Sequence, residues 1–298
     1  MGLLPDLDEL VALRGAAHGL EMHLRHPAAA QLQGGHRSNH RGRGLEFDEV
    51  RAYAQGDDAR TIDWRVTARR GRPHTKLFRE ERERVVWLLA DLHPGLYFGS
   101  RQQLKSALLL RAAAWLAWVA ISAGDRLGVV LTQGSSLPQM LPPRSRDIGA
   151  LAALQALVQS QPQGPGEPTG HGLEVALSTL RPLLRSGSTV FVLSDFSGLD
   201  AAAETALVTI GLRAECRLLW LTDPLEHDGL PNGSFRVGLP GQRWSIDGAA
   251  SRSAWVAAWS RREQRLAEMS RSHRLPLLRL DTSGDLSQTL PRFLGESR

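Results

Sequence analysis

The chain of 298 residues has a single cysteine, Cys216. That excludes an internal disulfide and a zinc site built from several thiolates. Lysine is nearly absent: of 36 basic residues, 34 are arginine and only Lys76 and Lys105 are lysine. Long apolar runs are missing as well. The nearest approach, Ala107 to Gly124, is interrupted by Arg111, and its clean part runs only from Ala112 to Ile121. That is too short to cross a bilayer and suits a helix packed against a sheet, so no membrane span is expected. The opening MGLLPDLDELVALR has no basic n-region and no apolar h-region, which reads as a cytoplasmic protein without a secretory signal. Nucleophile elbow, P-loop and dinucleotide fingerprint are all lacking; the lone G-R-G at Gly42 is none of these.

What is present is the balance of a globular protein, 42% hydrophobic and 22% charged. The net charge of +5 is concentrated: from Gly34 to Arg79 there are 11 basic and 6 acidic residues. Such a segment either meets an acidic partner or pairs its charges internally. Leucines at helical intervals predict a helix over Pro5 to His26, and Gly34 to Gly44 reads as loop. From Val85 onward, short apolar runs (VVWLLAD, DRLGVVLTQ, STVFVLSDFSG, CRLLWLTDP, LPLLRLDT) alternate with amphipathic or apolar helices. The helices are expected near Gln103–Ser122, Asp147–Val158, Gly172–Leu184, Ala201–Arg213, Ser251–Ser272 and Asp285–Leu294. SSLPQMLPP reads as a short partner strand, and Ser234 to Ile246 as a hairpin turning at Pro240-Gly241. The alternation predicts an α/β fold with a mostly parallel, Rossmann-like sheet and helices on both faces.

Ligands of such folds sit at the carboxyl ends of the strands. Three of those ends carry an acid: Asp91, Asp195 and Asp223. Each acid either binds something or caps the turn that follows, the capping reading being strongest for Asp223.

Two stretches together carry a resemblance. One is GRGLEFDEVRAYAQGDDARTIDWRVTARRGRPHTKLFREERE, from Gly42 to Glu83. The other is the strand ending in Asp91, with YFGS, a helix containing Lys105, and GDRLGVV. The sequence resembles the bacterial family called domain of unknown function 58, a von Willebrand factor A-like group. The resemblance implies a von Willebrand A-type sheet with an N-terminal extension. It also implies a protein–protein interaction role as adaptor or co-chaperone of a MoxR-type AAA+ ATPase, with other von Willebrand A-like proteins as further partners. Domains of this type normally hold magnesium at a metal-ion-dependent adhesion site made from Asp-x-Ser-x-Ser, a later Thr and an Asp. This sequence departs from the pattern. It reads Asp91-Leu92-His93-Pro94-Gly95 without either serine, and His171, rather than Thr169, takes the later position. Asp91 and Asp195 remain, so a degenerate site with no cofactor is expected. The alternative is that Asp91, His93, His171 and Asp195 converge on zinc, manganese or iron, a set able to make a metal-bound hydroxide for hydrolysis.

Between Glu46 and Glu83 arginines and acids alternate around Phe47, Tyr53, Ile62 and Trp64. Aromatics inside a charge run predict a segment that packs and is held by Arg–carboxylate pairs, with Arg51, Asp58, Arg60, Asp63 and Arg69 structural. Gly56-Asp57-Asp58 reads as a tight turn. Arg51, Tyr53, Gly56, Asp57, Asp58, Arg60, Asp63, Trp64 and Arg69 then form the motif that shapes a docking surface. A competing reading, nucleic-acid contact through Arg37, Arg41, Arg43, Arg69, Arg70 and Arg72, lacks a recognition motif, so no nucleic-acid partner is expected. The chain is expected to divide into a helical segment (1–33), the Arg/Asp-rich extension (34–84) and the von Willebrand A-like domain (85–298). A non-enzymatic interaction protein is the reading.

Overall fold

The computed structural model describes residues 3–17, 45–54, 59–80, 84–134, 137–166, 172–238 and 243–295. In chain order the elements are α1 (Leu7–Ala17), β1 (Leu45–Ala52), α2 (Trp64–Arg70) and β2 (His74–Glu80). There follow β3 (Val85–Asp91), α3 (Lys105–Ser122), β4 (Arg126–Thr132), β5 (Gln139–Arg144), α4 (Arg146–Ser160) and α5 (Gly172–Leu180). Next come β6 (Thr189–Ser194), α6 (Ala201–Gly211), β7 (Glu215–Thr222), α7 (Pro224–Asp228), β8 (Ser234–Val237) and β9 (Trp244–Asp247). The last are α8 (Gly248–His273), β10 (Leu277–Asp281) and α9 (Leu286–Gly295). The contacts define two units, residues 1–28 with 84–298, and residues 29–83. The sequence reading sets the N-terminal helix apart, whereas α1 joins the larger unit: Trp118 Nε1 of α3 donates to the Leu10 carbonyl at 3.1 Å.

In the larger unit six strands lie in the order β10-β7-β6-β3-β4-β5, parallel except for β5. Strands β3, β6 and β7 are buried almost throughout, as apolar runs without polar alternation should be when both sheet faces are covered. Side chains alternate across a strand, and β3 shows the consequence. Val86, Leu88 and Ala90 join one core with residues of α1, α3, α4 and α9. Trp87 and Leu89 join the other, with α5, α6 and α8. The sheet is thus the middle of three layers.

Helix α3 is the one described helix long and apolar enough to cross a membrane, and 89% of that window is buried inside the unit. It is apolar on every side because it packs both on the sheet and under α1 and α4. The helix expected to run to Leu184 ends at Leu180; Pro182, which lacks an N–H, enters a 3₁₀ turn instead. The β8–β9 hairpin forms, while the expected Pro240-Gly241 turn lies outside the described residues.

In the smaller unit β1 and β2 pair antiparallel, with a register shift between Phe47 and Glu49. Asp63 caps α2, accepting the backbone N–H groups of Arg65 (3.0 Å) and Val66 (3.2 Å), and Gly71 ends it at φ 69°.

Candidate functional site at the carboxyl ends of the strands

Asp195 is the hub of the strand-end site. It follows β6, and a tight turn behind it holds Phe196 at φ 55°, a left-handed conformation that a bulky residue adopts only when its surroundings enforce it. Two hydrogen bonds do so: the Phe196 N–H donates to Ser194 Oγ at 2.8 Å, and the Ser197 N–H to Asp195 Oδ1 at 2.8 Å. The Asp195 carbonyl is also engaged, accepting from Trp220 Nε1 at 3.1 Å and from the guanidinium of Arg262.

The buried carboxylate of Asp195 is matched by a buried ammonium. Lys105 Nζ donates to Asp195 Oδ2 and to Glu226 Oε1, both at 2.8 Å. Lys105 is the first residue of α3, where the helix dipole disfavours a cation, and it is only 2% exposed. The two carboxylates are what make that position tenable. Burial alone would raise the Asp195 pKa, but Lys105, His93 and Arg262 outweigh it and hold the carboxyl well below its usual range. For Lys105, burial works downward, and Asp195 and Glu226 reverse it to a net rise.

His93 lies on the other side of Asp195. Its Nδ1 accepts the Gly95 N–H (3.1 Å), which assigns the ring proton to Nε2, and Nε2 donates to Asp195 Oδ1 at 3.2 Å. Burial lowers its pKa, while the hydrogen bond and charge of Asp195, with the charge of Asp91, bring about a net rise. Ser197 Oγ stands 3.3 Å from the same Nε2. Serine, histidine and aspartate are therefore together, but not as a triad. The nitrogen facing the serine already carries the proton given to Asp195, so it cannot take one from the hydroxyl.

Asp91, at the end of β3, has its pKa raised to about 6 by burial that His93 and the Ser194 hydroxyl offset only in part. Ser194 Oγ donates to it at 2.7 Å. Asp223 does cap: it forms a capping box with Glu226 on α7 and accepts from Ser100 N (2.8 Å) and the Thr282 hydroxyl (2.5 Å). Burial pushes its pKa up, yet these donors leave it below the ordinary value.

A hard divalent cation needs several free oxygens. Here Asp195 Oδ1 is taken by His93 and Ser197, and Oδ2 by Lys105. The side chain at the first serine position is an imidazole with both nitrogens engaged, and the second is glycine. The residues do not fit an adhesion-site metal. Among the described residues no group of three or more His, Cys, Asp and Glu side chains is placed to hold a metal ion. His171 lies outside the described residues, so the structure brings together Asp91, His93 and Asp195 of the expected four.

Of the Arg/Asp motif, Gly56, Asp57 and Asp58 lie outside the described residues. Arg51 Nη1 donates to the Ala52 carbonyl at 3.1 Å, and Tyr53 is half-buried. Arg60 and Arg69 are exposed and Trp64 is 69% exposed.

As site residues the sequence reading passed over Glu226, Arg262 and Lys105, the last of which it named only among the features of the resemblance. Lys105 carried a signal, being one of two lysines among 36 basic residues and opening an apolar helix. Arg262 belongs to a hollow of about 330 Å³ beside Asp195, lined by Phe196, Ser197, Leu199, Arg261, Arg265 and Leu266 as well. Arg265 pairs with Glu204 at 3.2 Å, and Arg261 is exposed. The hollow is apolar at its base and cationic at its rim.

The family model described as "Protein of unknown function DUF58" matches residues 49–261. Uncharacterized proteins of Mycobacterium tuberculosis and Mycobacterium bovis are 30% identical over 298 residues, covering 98% of this chain and 92% of theirs. Among solved structures, an aerotolerance-related membrane protein from Bacteroides fragilis aligns over 71% of this chain and 96% of its own, at 15% identity and a TM-score of 0.45. An uncharacterized membrane-spanning protein from Vibrio fischeri aligns over 65% and 89%, at 16% identity and a TM-score of 0.26.

Proposed function

The chain belongs to the DUF58 family, and from that premise we propose that it is a non-enzymatic, von Willebrand A-like docking protein whose strand-end site is held by a lysine in place of a metal. The single observation that carries this reading is the Lys105 ammonium, 2.8 Å from both Asp195 and Glu226. A cation fixed on the chain organises the strand-end loops permanently, whereas a bound metal would do so only when present. Docking then depends on the surface around the site. The arginine-rimmed hollow beside Asp195 supports an acidic segment as the element recognised, since guanidinium groups pair carboxylates in bidentate geometry. The partner this reading assigns is a MoxR-type AAA+ ATPase, as the resemblance implies.

The experiment is co-purification with the MoxR-type ATPase of the same organism, combined with a measurement of its hydrolysis rate. The expected result is a complex that forms equally well in chelator and in magnesium and alters the rate. Arg261→Glu with Arg265→Glu should weaken it at least about tenfold, with the melting temperature little changed, because rim charges govern association more than folding. A complex that requires a divalent cation, or no effect of the reversed charges, would overturn the reading.

A further inference from the structure

We propose that the hollow beside Asp195 takes one large apolar side chain, leucine or phenylalanine, from a peptide segment whose neighbouring residues are acidic. This rests on the docking reading above, which assigns an acidic segment to the hollow, and adds what that segment carries at its centre. One wall of the hollow is a face of α8. Successive residues of a helix turn by about 100°, so Arg261, Arg265, Arg262 and Leu266 follow one another across about 140° of its surface. Exposure falls across the same arc. Arg261 is exposed, the side chains of Arg265 and Arg262 are 58% and 32% exposed, and Leu266 is 2% exposed. The helix period thus puts the charge at the mouth and apolar surface at the bottom.

The opposite wall is the turn after β6, which contributes buried Phe196, half-buried Leu199 and exposed Ser197. The turn is braced from within. The hydrogen bonds that hold Phe196 in its left-handed conformation come from the side chains of Ser194 and Asp195, which belong to the closed strand-end network. A floor fixed before the partner arrives has little ordering left to undergo on binding.

The volume of about 330 Å³ lies at the bottom of the range of small-molecule sites, roughly 300–1,000 Å³, and suits one large side chain entering from a chain that crosses the rim. The guanidinium groups select the neighbours of that side chain. Arg262 is committed to the Asp195 carbonyl. Arg261 makes no ion pair with a described residue, and Arg265 meets Glu204 at 3.2 Å in an exposed pair that a ligand carboxylate can replace at little cost. Arg261 and Arg265 stand one turn apart on α8, so carboxylates flanking an apolar residue can meet one each. An apolar anchor ringed by polar contacts is the usual build of an interface hot spot. A nucleic acid would satisfy the arginines through its phosphates but brings no aliphatic side chain to the floor.

The test is fluorescence anisotropy of the full chain with a labelled peptide that has one leucine flanked on each side by three acids. Beside it run the same peptide with alanine at the centre, the same peptide with amides in place of the acids, and oligothymidylate. The leucine peptide should bind with Kd below about 100 μM, weakened at least about fivefold by the central alanine and at least about tenfold by the amides. Leu199→Ala should weaken the leucine peptide and leave the alanine peptide nearly unchanged, whereas Arg261→Ala should weaken both alike. Damage to the fold would lower both affinities, so the difference between the peptides in Leu199→Ala isolates the anchor. The comparison of peptides on the wild-type chain needs no variant to fold. Leucine and alanine peptides that bind alike, oligothymidylate that binds as tightly as the leucine peptide, or no binding of any peptide would each overturn the proposal. An ATPase complex that depends on the two arginines, beside leucine and alanine peptides that bind alike, would sink this proposal and leave the docking reading standing. A leucine peptide that binds as expected, beside an ATPase that does not, would support the proposal and remove the assigned partner.

Discussion

The ammonium of Lys105 and the carboxylate of Asp195 meet 90 residues apart in sequence, at a depth where neither is tolerable alone. Lys105→Met should therefore cost about 3–5 kcal/mol in chemical denaturation, because it strands a buried negative charge. Adding Asp195→Asn should recover a large part of that loss, and simple additivity of the two substitutions would refute the coupling. Asp91 has the opposite sign. Its pKa in the folded chain, about 6, lies above the ordinary 3.8, so the folded state holds an extra proton between those values and stability falls as pH rises through that window. Asp91→Asn should flatten that decline and raise stability at pH 7 by about 2–3 kcal/mol. Denaturation midpoints from pH 4 to 8 check this, and a wild-type curve that rises across the window would contradict it. Asp195, held below its ordinary value, acts in a separate range, losing its contribution as pH falls below 3.8.

At the scale of elements, the sequence was most legible where burial on both faces leaves an unmistakable run. The stretches 85–90, 190–193 and 218–221 are strand for the same reason that they contain no charged or hydroxyl-bearing residue. Asp223 was legible as a cap, since Pro224 and Glu226 follow it in the pattern of a capping box. Asp223→Ala removes that box and also orphans the donors of Ser100 and Thr282, so a loss of about 2–4 kcal/mol is expected from denaturation. The role of Lys105 was less legible, because nothing local pairs with it. Its partners arrive only when β6 and α7 close over the start of α3, and Glu226 reads on its own as an ordinary helix acid.

At the scale of the whole molecule, the two ends of the central sheet carry different chemistry. The carboxyl ends hold a closed network of charges beside an arginine-rimmed hollow; the amino ends of β7 and β10 border a larger cavity. The layered α/β architecture was readable from the alternation of strands and helices. What pairs with the strand-end acids was not, because a buried lysine whose partners lie far off in sequence leaves no spacing to recognise. The most direct measurement is elemental analysis of the untagged protein, with thermal unfolding in chelator, magnesium, manganese and zinc. With Lys105 as the strand-end cation, the protein should carry no stoichiometric metal and melt at one temperature in all four conditions. Near one equivalent of metal, lost in Asp195→Ala and in His93→Ala, would contradict it.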